Sequence, residues 1–267
     1  MNQFANILTA HGITTRQGGV SDGPFESMNT GFYGDDDTGK VYENIKRALD
    51  SIHSDAKIII TTRQVHSNHI RIIDDAFDFN SLVEYDVSGT ALDGYRLLSA
   101  PETDGLLSTR KDVVLMTFYA DCVPLVFYDA KRGVVGSVHS GWRGTANLMA
   151  QEAIDKLLWL GCELEDIKVG IGHCAGICCY EVDAPVIEAF QKNFTQDELT
   201  KFVVIKENGK YQLDLKMANT ISFLKKGIKI SQIEVNNDCT ICDASKYHSH
   251  RRTGYPRGSM SAFIQLK

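Results

Sequence analysis

Three apolar runs between residues 113 and 140 constrain the fold of this chain more than any other feature. They read VVLMTFYA (113–120), PLVFY (124–128) and VVGSV (134–138). Short apolar runs of this kind are typical of buried strands. Cys122 follows the first run and His139 follows the third. A cysteine and a histidine therefore arrive at two strand ends, where a rigid scaffold commonly positions functional residues.

The stretch after the third run predicts an anion site at the start of a helix. Gly141 and Gly144 let a ligand approach the backbone, and residues 145–160 carry apolar side chains at helical spacing. The first-turn amides of such a helix and the Arg143 guanidinium together offer hydrogen-bond donors and positive charge. Residues 120–144 are thus predicted to bind a metal and a phosphate side by side.

The rest of the chain alternates irregularly between helix and strand patterns. Apolar residues at helical spacing predict helices over 40–52, 183–190 and 216–226. Apolar runs and turn signals predict strands over 6–15, 231–237 and 261–266, one strand within 167–182, two strands meeting at a turn within 57–73, and a hairpin over 202–215. Residues 74–101 lack a steady periodicity, which predicts a surface excursion. The whole pattern predicts an α/β fold of the α+β type, with mixed β-sheets flanked by helices.

Length and charge limit the function classes. The 267 residues are 43% hydrophobic, enough for a full core, and no linker or repeat divides them, so we expect one domain over residues 1–267. A net charge of -6 argues against a nucleic-acid surface and favours small-molecule partners. No apolar run reaches bilayer length and the N-terminus lacks signal-peptide features, so we expect no membrane partner and a cytoplasmic location. We further expect a monomer or a weak homo-oligomer.

The histidines and cysteines allow two alternative metal sites. His66, Cys122 and His139 make a set of three ligands, and zinc held by three protein ligands keeps a fourth position for water or substrate, as catalytic sites do. The alternative is a four-sulfur structural zinc site built from Cys174, Cys178 or Cys179, Cys239 and Cys242. We favour the first set, and we interpret the other cysteines as reduced side chains packed beneath the site.

Nine motifs, in order along the chain, resemble those of a known family. They are TTRQGGVS, SMNTGFYGDD, QVH, TDGLLSTR, ADCVPLVFYD, HSGWRG, GICCYEV, CTICD and HSHRR. These stretches resemble the signatures of the bacterial YfiH and YlmD family, the laccase-domain or polyphenol oxidoreductase proteins. The resemblance implies a single-domain layered α/β fold similar to the catalytic domain of cytotoxic necrotizing factor toxins. It also implies that the metal ligands in QVH, ADC and HSGWRG are His66, Cys122 and His139.

The family resemblance implies a metal-dependent purine nucleoside phosphorylase with adenosine deaminase activity. Zinc is the implied cofactor, with copper as the alternative, and the implied partners are phosphate and a purine nucleoside such as adenosine, inosine, guanosine or methylthioadenosine. Asp104 and Asp121 are candidate catalytic residues, as general acid/base groups or as partners that orient the metal ligands. Arg143 is a candidate for both catalysis and phosphate binding. The full set of candidate substrate- and phosphate-binding residues is Arg16, Asn29, Arg63 and Arg143.

Two other functions are compatible with the resemblance. One is a hydrolase that acts on amide bonds in peptidoglycan precursors, and the other is a copper-dependent polyphenol oxidase. Multicopper oxidases need several His-x-His pairs, whereas this chain has one, His248 and His250. The sequence departs from the family pattern at Ser67, where glycine is usual, and at His173 and Cys174, where proline and alanine are usual. These changes bear on the shape of the pocket, while the metal ligands are intact.

Overall fold

The chain builds two large mixed β-sheets and a small third sheet. The computed structural model describes residues 1–32 and 34–267, and Tyr33 of the SMNTGFYGDD motif lies outside the described residues. The strands of the described part are β1 Ala10–Ile13, β2 Ile58–Thr62, β3 Ile70–Ile73, β4 Val83–Tyr85, β5 Arg96–Ala100, β6 Gly105–Ser108, β7 Val113–Tyr119, β8 Val123–Asp129, β9 Val134–Ser140, β10 Lys168–Ile171, β11 Glu181–Val182, β12 Val203–Ile205, β13 Tyr211–Leu213, β14 Ile233–Val235 and β15 Met260–Gln265.

Helices lie between these strands. They are α1 Thr38–Ser51, α2 Trp142–Ala146, α3 Met149–Trp159, α4 Ala184–Gln191, α5 Gln196–Leu199, α6 Leu215–Lys225 and α7 His250–Thr253. The carboxylate of Asp37 caps α1, because it accepts a hydrogen bond from the backbone N–H of Lys40. The helices predicted over 40–52, 183–190 and 216–226 are confirmed as α1, α4 and α6. Across residues 1–32 and 34–267, every helix is too short or too polar to cross a bilayer.

The strand order shows how the two large sheets are mixed. The first sheet runs β1-β15-β7-β2-β5-β4 and the second runs β14-β10-β8-β9-β6-β3. β2 is parallel to both β5 and β7, whereas β15 is antiparallel to β7 and β8 is antiparallel to β9. The predicted hairpin is confirmed as β12 and β13 of the third sheet. The predicted class, mixed sheets flanked by helices, is confirmed; the likeness to the toxin domain stays a prediction.

Alternate residues of each strand belong to different hydrophobic layers, as the pleat of a sheet requires. Ile60 of the first sheet shares a buried cluster with Val126 of the second, so the two sheets pack face to face. The neighbouring Ile59 instead belongs to a cluster with residues of α1. Phe127 belongs to a third cluster with residues of α3 and α6. Helices therefore cover both outer faces of the two packed sheets.

Two crossings between the large sheets meet at one edge of this sandwich. β2 and β7 are parallel neighbours, so their carboxyl ends lie together. The chain leaves β2 through residues 63–69 to reach β3 of the second sheet, and it leaves β7 through residues 120–122 to reach β8. β8 begins beside the end of β9, where Val123 pairs with Ser140. His66 lies on the first crossing, Cys122 lies on the second, and His139 lies near the end of β9.

The two strands predicted within 57–73 exist, but they do not pair with each other. β2 belongs to the first sheet and β3 to the second. The turn near Ser67 is therefore a crossing between sheets and not a hairpin turn. Apolar runs mark strands, but they do not say which sheet each strand joins, because pairing is decided by contacts distant in sequence.

The prediction of a surface excursion over 74–101 is wrong for its second half. β5 pairs with β2 in the first sheet, and Leu97, Leu98 and Ala100 are buried. β4 extends the same sheet as its edge strand. The run RLLSA has only a few apolar residues, so its burial comes from the pairing with β2 and is not evident from periodicity.

The helix predicted over 145–160 is divided in two. Leu148 has a left-handed backbone conformation, with φ 61°, between α2 and α3. Asn147 ends α2, and its backbone N–H still bonds to the carbonyl of Arg143. Residue spacing alone did not reveal this break, because the apolar residues on both sides face the same buried cluster.

Candidate metal centre

Three side chains at the edge of the sandwich converge. His66 lies on the first crossing in a left-handed conformation, with φ 61°, and Cys122 follows Asp121, which has φ 90°. His139 is the penultimate residue of β9. Their potential ligand atoms all lie within 4.8 Å of one another. The structure therefore brings together the three residues that the sequence predicts as metal ligands.

The spacing of these atoms fits a zinc ion. The Nε2 atom of His66 lies 3.9 Å from the Sγ atom of Cys122. A tetrahedral zinc with bonds of about 2.3 Å to sulfur and about 2.0 to 2.1 Å to nitrogen would hold two such atoms about 3.6 Å apart. His139 is buried, Cys122 is half-buried and His66 is exposed, so a fourth ligand position would face outward. Two imidazoles and one thiolate suit zinc, and they also suit copper.

Asp104 holds this ligand set in place. Its buried carboxylate accepts a hydrogen bond from Nδ1 of His139 at 2.9 Å, which leaves Nε2 of that ring for a metal. The same carboxylate accepts hydrogen bonds from the backbone N–H groups of Val65, His66 and Ser67 at 3.2, 3.0 and 2.8 Å. Burial acts to raise the pKa of Asp104, but His139 and Ser67 outweigh it and lower that pKa to about 2. Asp104 therefore orients two of the ligands as a permanent carboxylate.

The charge of the site favours a thiolate. Burial acts to raise the pKa of Cys122, but the adjacent His139 and His66 lower it to about 6. A thiol of this pKa is mostly deprotonated at neutral pH, and the thiolate is the form that binds a metal. Burial acts to lower the pKa of His139, but Cys122 and Asp104 raise it to about 9. Since a cation must also displace the proton of this ring, metal affinity is expected to fall as the pH drops below about 9, and further below about 6.

Gly141 leaves the room that the three ligands need. A Cβ atom at this position would lie 2.8 Å from Cδ2 of His66, 3.1 Å from Sγ of Cys122 and 3.5 Å from Cε1 of His139. The φ of Gly141 is -72°, which other residues adopt readily. The glycine is therefore required by space and not by its backbone conformation.

We expect Gly141→Ala to reduce metal content without unfolding the protein. The added methyl group must displace the His66 ring or the Cys122 thiol, and displaced ligands bind a metal less well. The measurement is elemental analysis together with the thermal midpoint of unfolding. Gly39→Ala in α1 is the matched control, since its Cβ would meet only the Asp37 carboxylate, at 3.1 Å. Unchanged metal content in Gly141→Ala would show that the ligands are not held as described.

A cavity of about 600 Å³ opens onto the three ligands. This volume lies in the range of small-molecule sites. Besides the ligands, its walls include aromatic rings and positively charged or polar side chains, among them Arg63, Phe118, Tyr119, His250, Arg257 and Ser259. The structure thus places one of the predicted phosphate-binding residues, Arg63, in the same cavity as the candidate metal ligands.

Two predicted ligand contacts in the first long loop are used elsewhere. The guanidinium of Arg16 donates to the carbonyls of Glu26 and Ala244 at 3.0 and 2.7 Å. It lines a separate surface depression with neighbouring loop residues. Asn29 is buried, and its side-chain amide bonds to Asp36 and to the backbone of Ser259, both at 2.8 Å. Both side chains therefore stabilise loops, which argues against Arg16 and Asn29 as direct ligand contacts.

Both carboxylate oxygens of Asp121 are engaged in hydrogen bonds within the protein. One carboxylate oxygen accepts a hydrogen bond from the Thr240 hydroxyl at 2.6 Å. The other accepts bonds from the Ser249 hydroxyl at 3.0 Å and from the backbone N–H of Arg251 at 2.6 Å. Both oxygens thus face the segment that leads into α7. This geometry argues against general acid/base catalysis by Asp121 and favours a role in positioning that segment and the adjacent Cys122.

Arg143 lies at the exposed start of α2 and not among the residues that line the cavity. Its guanidinium carbon stacks 4.3 Å from the centre of the Trp142 ring. α2 spans only five residues, so it offers a weaker anion site than the long helix expected from the sequence. Phosphate binding by Arg143 stays a prediction.

Arg257 was missed by the sequence analysis. It follows Pro256, and its Nη1 donates to Ser259 at 2.9 Å, while its Nε is buried without a hydrogen-bond partner in the described part of the chain. Burial lowers its pKa from the usual value. The sequence signal for it is a lone arginine in a Gly- and Pro-containing loop, which gives no hint of its location. His250, noted only as half of a His-x-His pair, lines the same cavity.

The sequence of the chain matches a protein family and named relatives. The family model described as multi-copper polyphenol oxidoreductase laccase matches residues 10–267. The chain is 33% identical over 259 residues to a Bacillus subtilis protein named purine nucleoside phosphorylase YlmD, covering 96% of this chain and 88% of the relative. It is 28% identical over 257 residues to a protein from an unknown prokaryotic organism named adenosine deaminase RL5, covering 95% and 90%.

Solved structures match along the full length of the fold. The crystal structure of YlmD from Geobacillus stearothermophilus superposes with a TM-score of 0.86 at 32% identity, covering 99% of this chain and 94% of that one. A Bacillus licheniformis protein described as hypothetical protein YfiH gives a TM-score of 0.83 at 37% identity, covering 96% and 92%. Both sheets and the crossings between them therefore belong to a fold already seen in solved structures.

Proposed function

The chain belongs to the family of multi-copper polyphenol oxidoreductase laccases, and from that premise we propose that it is a metal-dependent purine nucleoside phosphorylase with adenosine deaminase activity. We propose that residues 1–267 form a single catalytic domain. The observation that carries the proposal is that one cavity contains three potential metal ligands together with the cationic side chains of Arg63 and Arg257. Relatives named for both activities support it.

The proposed metal is zinc, held by His66, Cys122 and His139. When bound there, it would supply Lewis-acid chemistry to a molecule in the cavity. The rest of the chemistry is assigned to residues of the chain. Asp104 keeps the His139 ring oriented and its Nδ1 occupied. Asp121 holds the segment before α7 against the crossing that carries Cys122.

Phosphorolysis requires that a phosphate oxygen bond to C1′ of the ribose while the bond from C1′ to the purine nitrogen breaks. The products are the free base and ribose 1-phosphate. Phosphate carries its charge on several oxygens, and Arg63 and Arg257 line the cavity as guanidinium donors able to bind them in pairs. His250 lies in the same cavity. We assign these three side chains to phosphate, and the Phe118 ring to the apolar face of the base.

Deamination is proposed for the same cavity because a relative carries that name. Water replaces the amino group of adenosine, which gives inosine and ammonia. This reaction needs no phosphate, so Arg63 and Arg257 are not required for its nucleophile. The two activities therefore share the metal centre and the base-binding wall but differ in their need for the two arginines.

A polyphenol oxidase is the function suggested by the family description alone. A multicopper centre needs several grouped histidines to hold its copper ions. In the described residues, the histidines that group with other potential ligands are His66 and His139, in a single three-ligand set. This composition supports the phosphorylase and deaminase over electron transfer from phenols.

The test is to incubate the purified, zinc-loaded protein with adenosine, with and without phosphate, and to identify products by chromatography. We expect adenine and ribose 1-phosphate only when phosphate is present, and inosine in either case. Formation of neither product, with oxidation of phenols or hydrolysis of peptidoglycan-precursor amides instead, would replace the proposal with one of the alternatives.

A further inference from the structure

A second group of potential metal ligands lies outside the cavity. Cys178 and Cys179 follow β10 in a turn, and Cys239 and Cys242 lie after β14. The four Sγ atoms all lie within 4.8 Å of one another, although Cys242 is 64 and 63 residues from Cys178 and Cys179 in sequence. Cys174, which the sequence analysis included as an alternative ligand, is fully buried and its thiol bonds to the carbonyl of Ala175.

The four thiols lie at or near the surface, whereas the sequence analysis predicted that they are packed beneath the site. Cys178 and Cys242 are exposed, and Cys179 and Cys239 are half-buried. The four thiols are reduced, as predicted, but the prediction that they are packed beneath the site is wrong for them and holds only for the buried Cys174. Thiols at the surface are accessible to a metal ion from solvent. By contrast, Cys162 and Cys174 are buried.

The spacing of the four sulfurs fits one cation better than disulfide bonds. Sγ of Cys242 lies 3.4 Å from Sγ of Cys178 and 3.2 Å from Sγ of Cys179. A disulfide requires a sulfur separation of about 2.05 Å. Tetrahedral zinc with bonds of about 2.3 Å would hold its sulfurs about 3.8 Å apart. These two separations are about 0.4 to 0.6 Å shorter than this value, and all four sulfurs lie within 4.8 Å of one another, so small shifts would complete a four-sulfur shell.

The backbone around Cys239 supplies the donors that a thiolate ligand needs. The N–H of Gly176 donates to Sγ of Cys239 at 3.2 Å, and the N–H groups of Ile241 and Cys242 also bond to this sulfur. Such bonds stabilise the charged form of the sulfur. Gly176 also permits the close approach, since a Cβ there would lie 3.0 Å from Cβ of Cys239 and 3.3 Å from Sγ of Cys178.

A positive charge lies against the same loop. The guanidinium of Arg252 donates to the carbonyls of Thr240 and Ile241 at 2.7 and 3.0 Å, within the Cys239 to Cys242 turn. Four thiolates around a divalent ion carry a net negative charge, and a fixed guanidinium beside them offsets part of it. Both the donors and the charge around these cysteines therefore match a thiolate site.

We propose that Cys178, Cys179, Cys239 and Cys242 form a second, closed metal site that binds Zn²⁺ as a structural ion. The ion would tie the turn after β10 to the segment that leads into α7. These two segments already meet through a hydrogen bond from the N–H of Thr240 to the carbonyl of Cys174 at 3.0 Å. Thr240 in turn bonds to Asp121, so the second site would stabilise the wall that contains His250.

The test counts zinc in protein that was reduced, stripped with a chelator and reloaded with Zn²⁺ without oxygen. We expect two ions per chain in the wild type, one in Cys122→Ser, one in Cys242→Ser, and none in the double variant. Cys162→Ala is the matched control, because this reduced cysteine lies in neither group, and it should keep both ions.

A spectroscopic probe identifies the ligands. Co²⁺ bound to Cys122→Ser should give the intense thiolate charge-transfer absorption of a tetrahedral sulfur site, and adding Cys242→Ser should remove it. Zinc should also raise the thermal midpoint of Cys122→Ser but not of the double variant. Fully reduced Cys122→Ser that binds neither Zn²⁺ nor Co²⁺, or a disulfide among the four thiols after zinc loading, would overturn the proposal. The metal counts do not depend on catalysis, so they stand apart from the proposed enzymatic function.

Discussion

Cys122→Ser is expected to abolish both phosphorolysis and deamination of adenosine. A serine hydroxyl is not ionised at neutral pH, so it replaces a thiolate ligand with a weak neutral donor. Loss of an outer partner of a metal ligand typically costs about 10- to 100-fold in affinity or activity. Loss of the ligand itself should cost more than that in both reactions.

The measurement compares adenine and inosine formation with metal content in the same preparations. A Cys242→Ser background removes the metal of the proposed second site, so that elemental analysis reports only the cavity. Cys162→Ala in that background is the control for general effects of losing a thiol, since Cys162 is buried away from both groups. Activity at the wild-type level in Cys122→Ser, with metal retained, would contradict the assignment of the ligands.

Replacing either cavity arginine should separate the two reactions. We expect Arg63→Gln and Arg257→Gln each to lower phosphorolysis by about 10- to 100-fold, because a hydrogen bond to a charged group contributes about 1.5 to 3 kcal/mol and about 1.4 kcal/mol is a factor of ten in rate. Deamination should change little, since water and not phosphate is its nucleophile. Arg63 is exposed, so its replacement should leave stability near that of the wild type.

The assay measures adenine and inosine from one reaction, across a range of phosphate concentrations. Arg96→Gln is the matched control, because Arg96 pairs with Glu84 on the first sheet and lies outside the cavity lining. Arg143→Gln belongs in the same series and tests the assignment made from the sequence. If Arg143→Gln alone lowered phosphorolysis, the anion would lie at the start of α2. If Arg63→Gln lowered both reactions equally, that residue would hold the nucleoside and not phosphate.

The candidate metal ligands could be predicted from the sequence because each lies at the end of an apolar run or shortly after it. His66 follows β2, Cys122 follows β7, and His139 is the penultimate residue of β9, so all three are placed at a sheet edge. Asp104 was predicted either as a general acid/base group or as an orienting partner, and its hydrogen bonds to His139 and to the backbone of His66 favour the second role. The local sequence pattern was enough to predict the position of a residue that lies next to a strongly apolar strand.

The residues proposed to bind phosphate could not be predicted in the same way. His250 begins α7, and Arg257 lies in the loop after it. The path of this loop depends on distant contacts, such as the bond from Ser259 to Asn29. Arg16 and Asn29 lie in a loop rich in glycine, where sequence does not distinguish a side chain that binds a ligand from one that ties the loop together. The four cysteines were recognised by spacing, but their exposure is decided by how two loops meet.

We propose that His66, Cys122 and His139 jointly hold the metal in the cavity. Anomalous diffraction, recorded at the zinc and copper absorption edges on crystals of protein with measured phosphorylase activity, tests it most directly. We expect an anomalous peak at bonding distance from Nε2 of His66, Sγ of Cys122 and Nε2 of His139. Active crystals with no anomalous peak between these three side chains would contradict it.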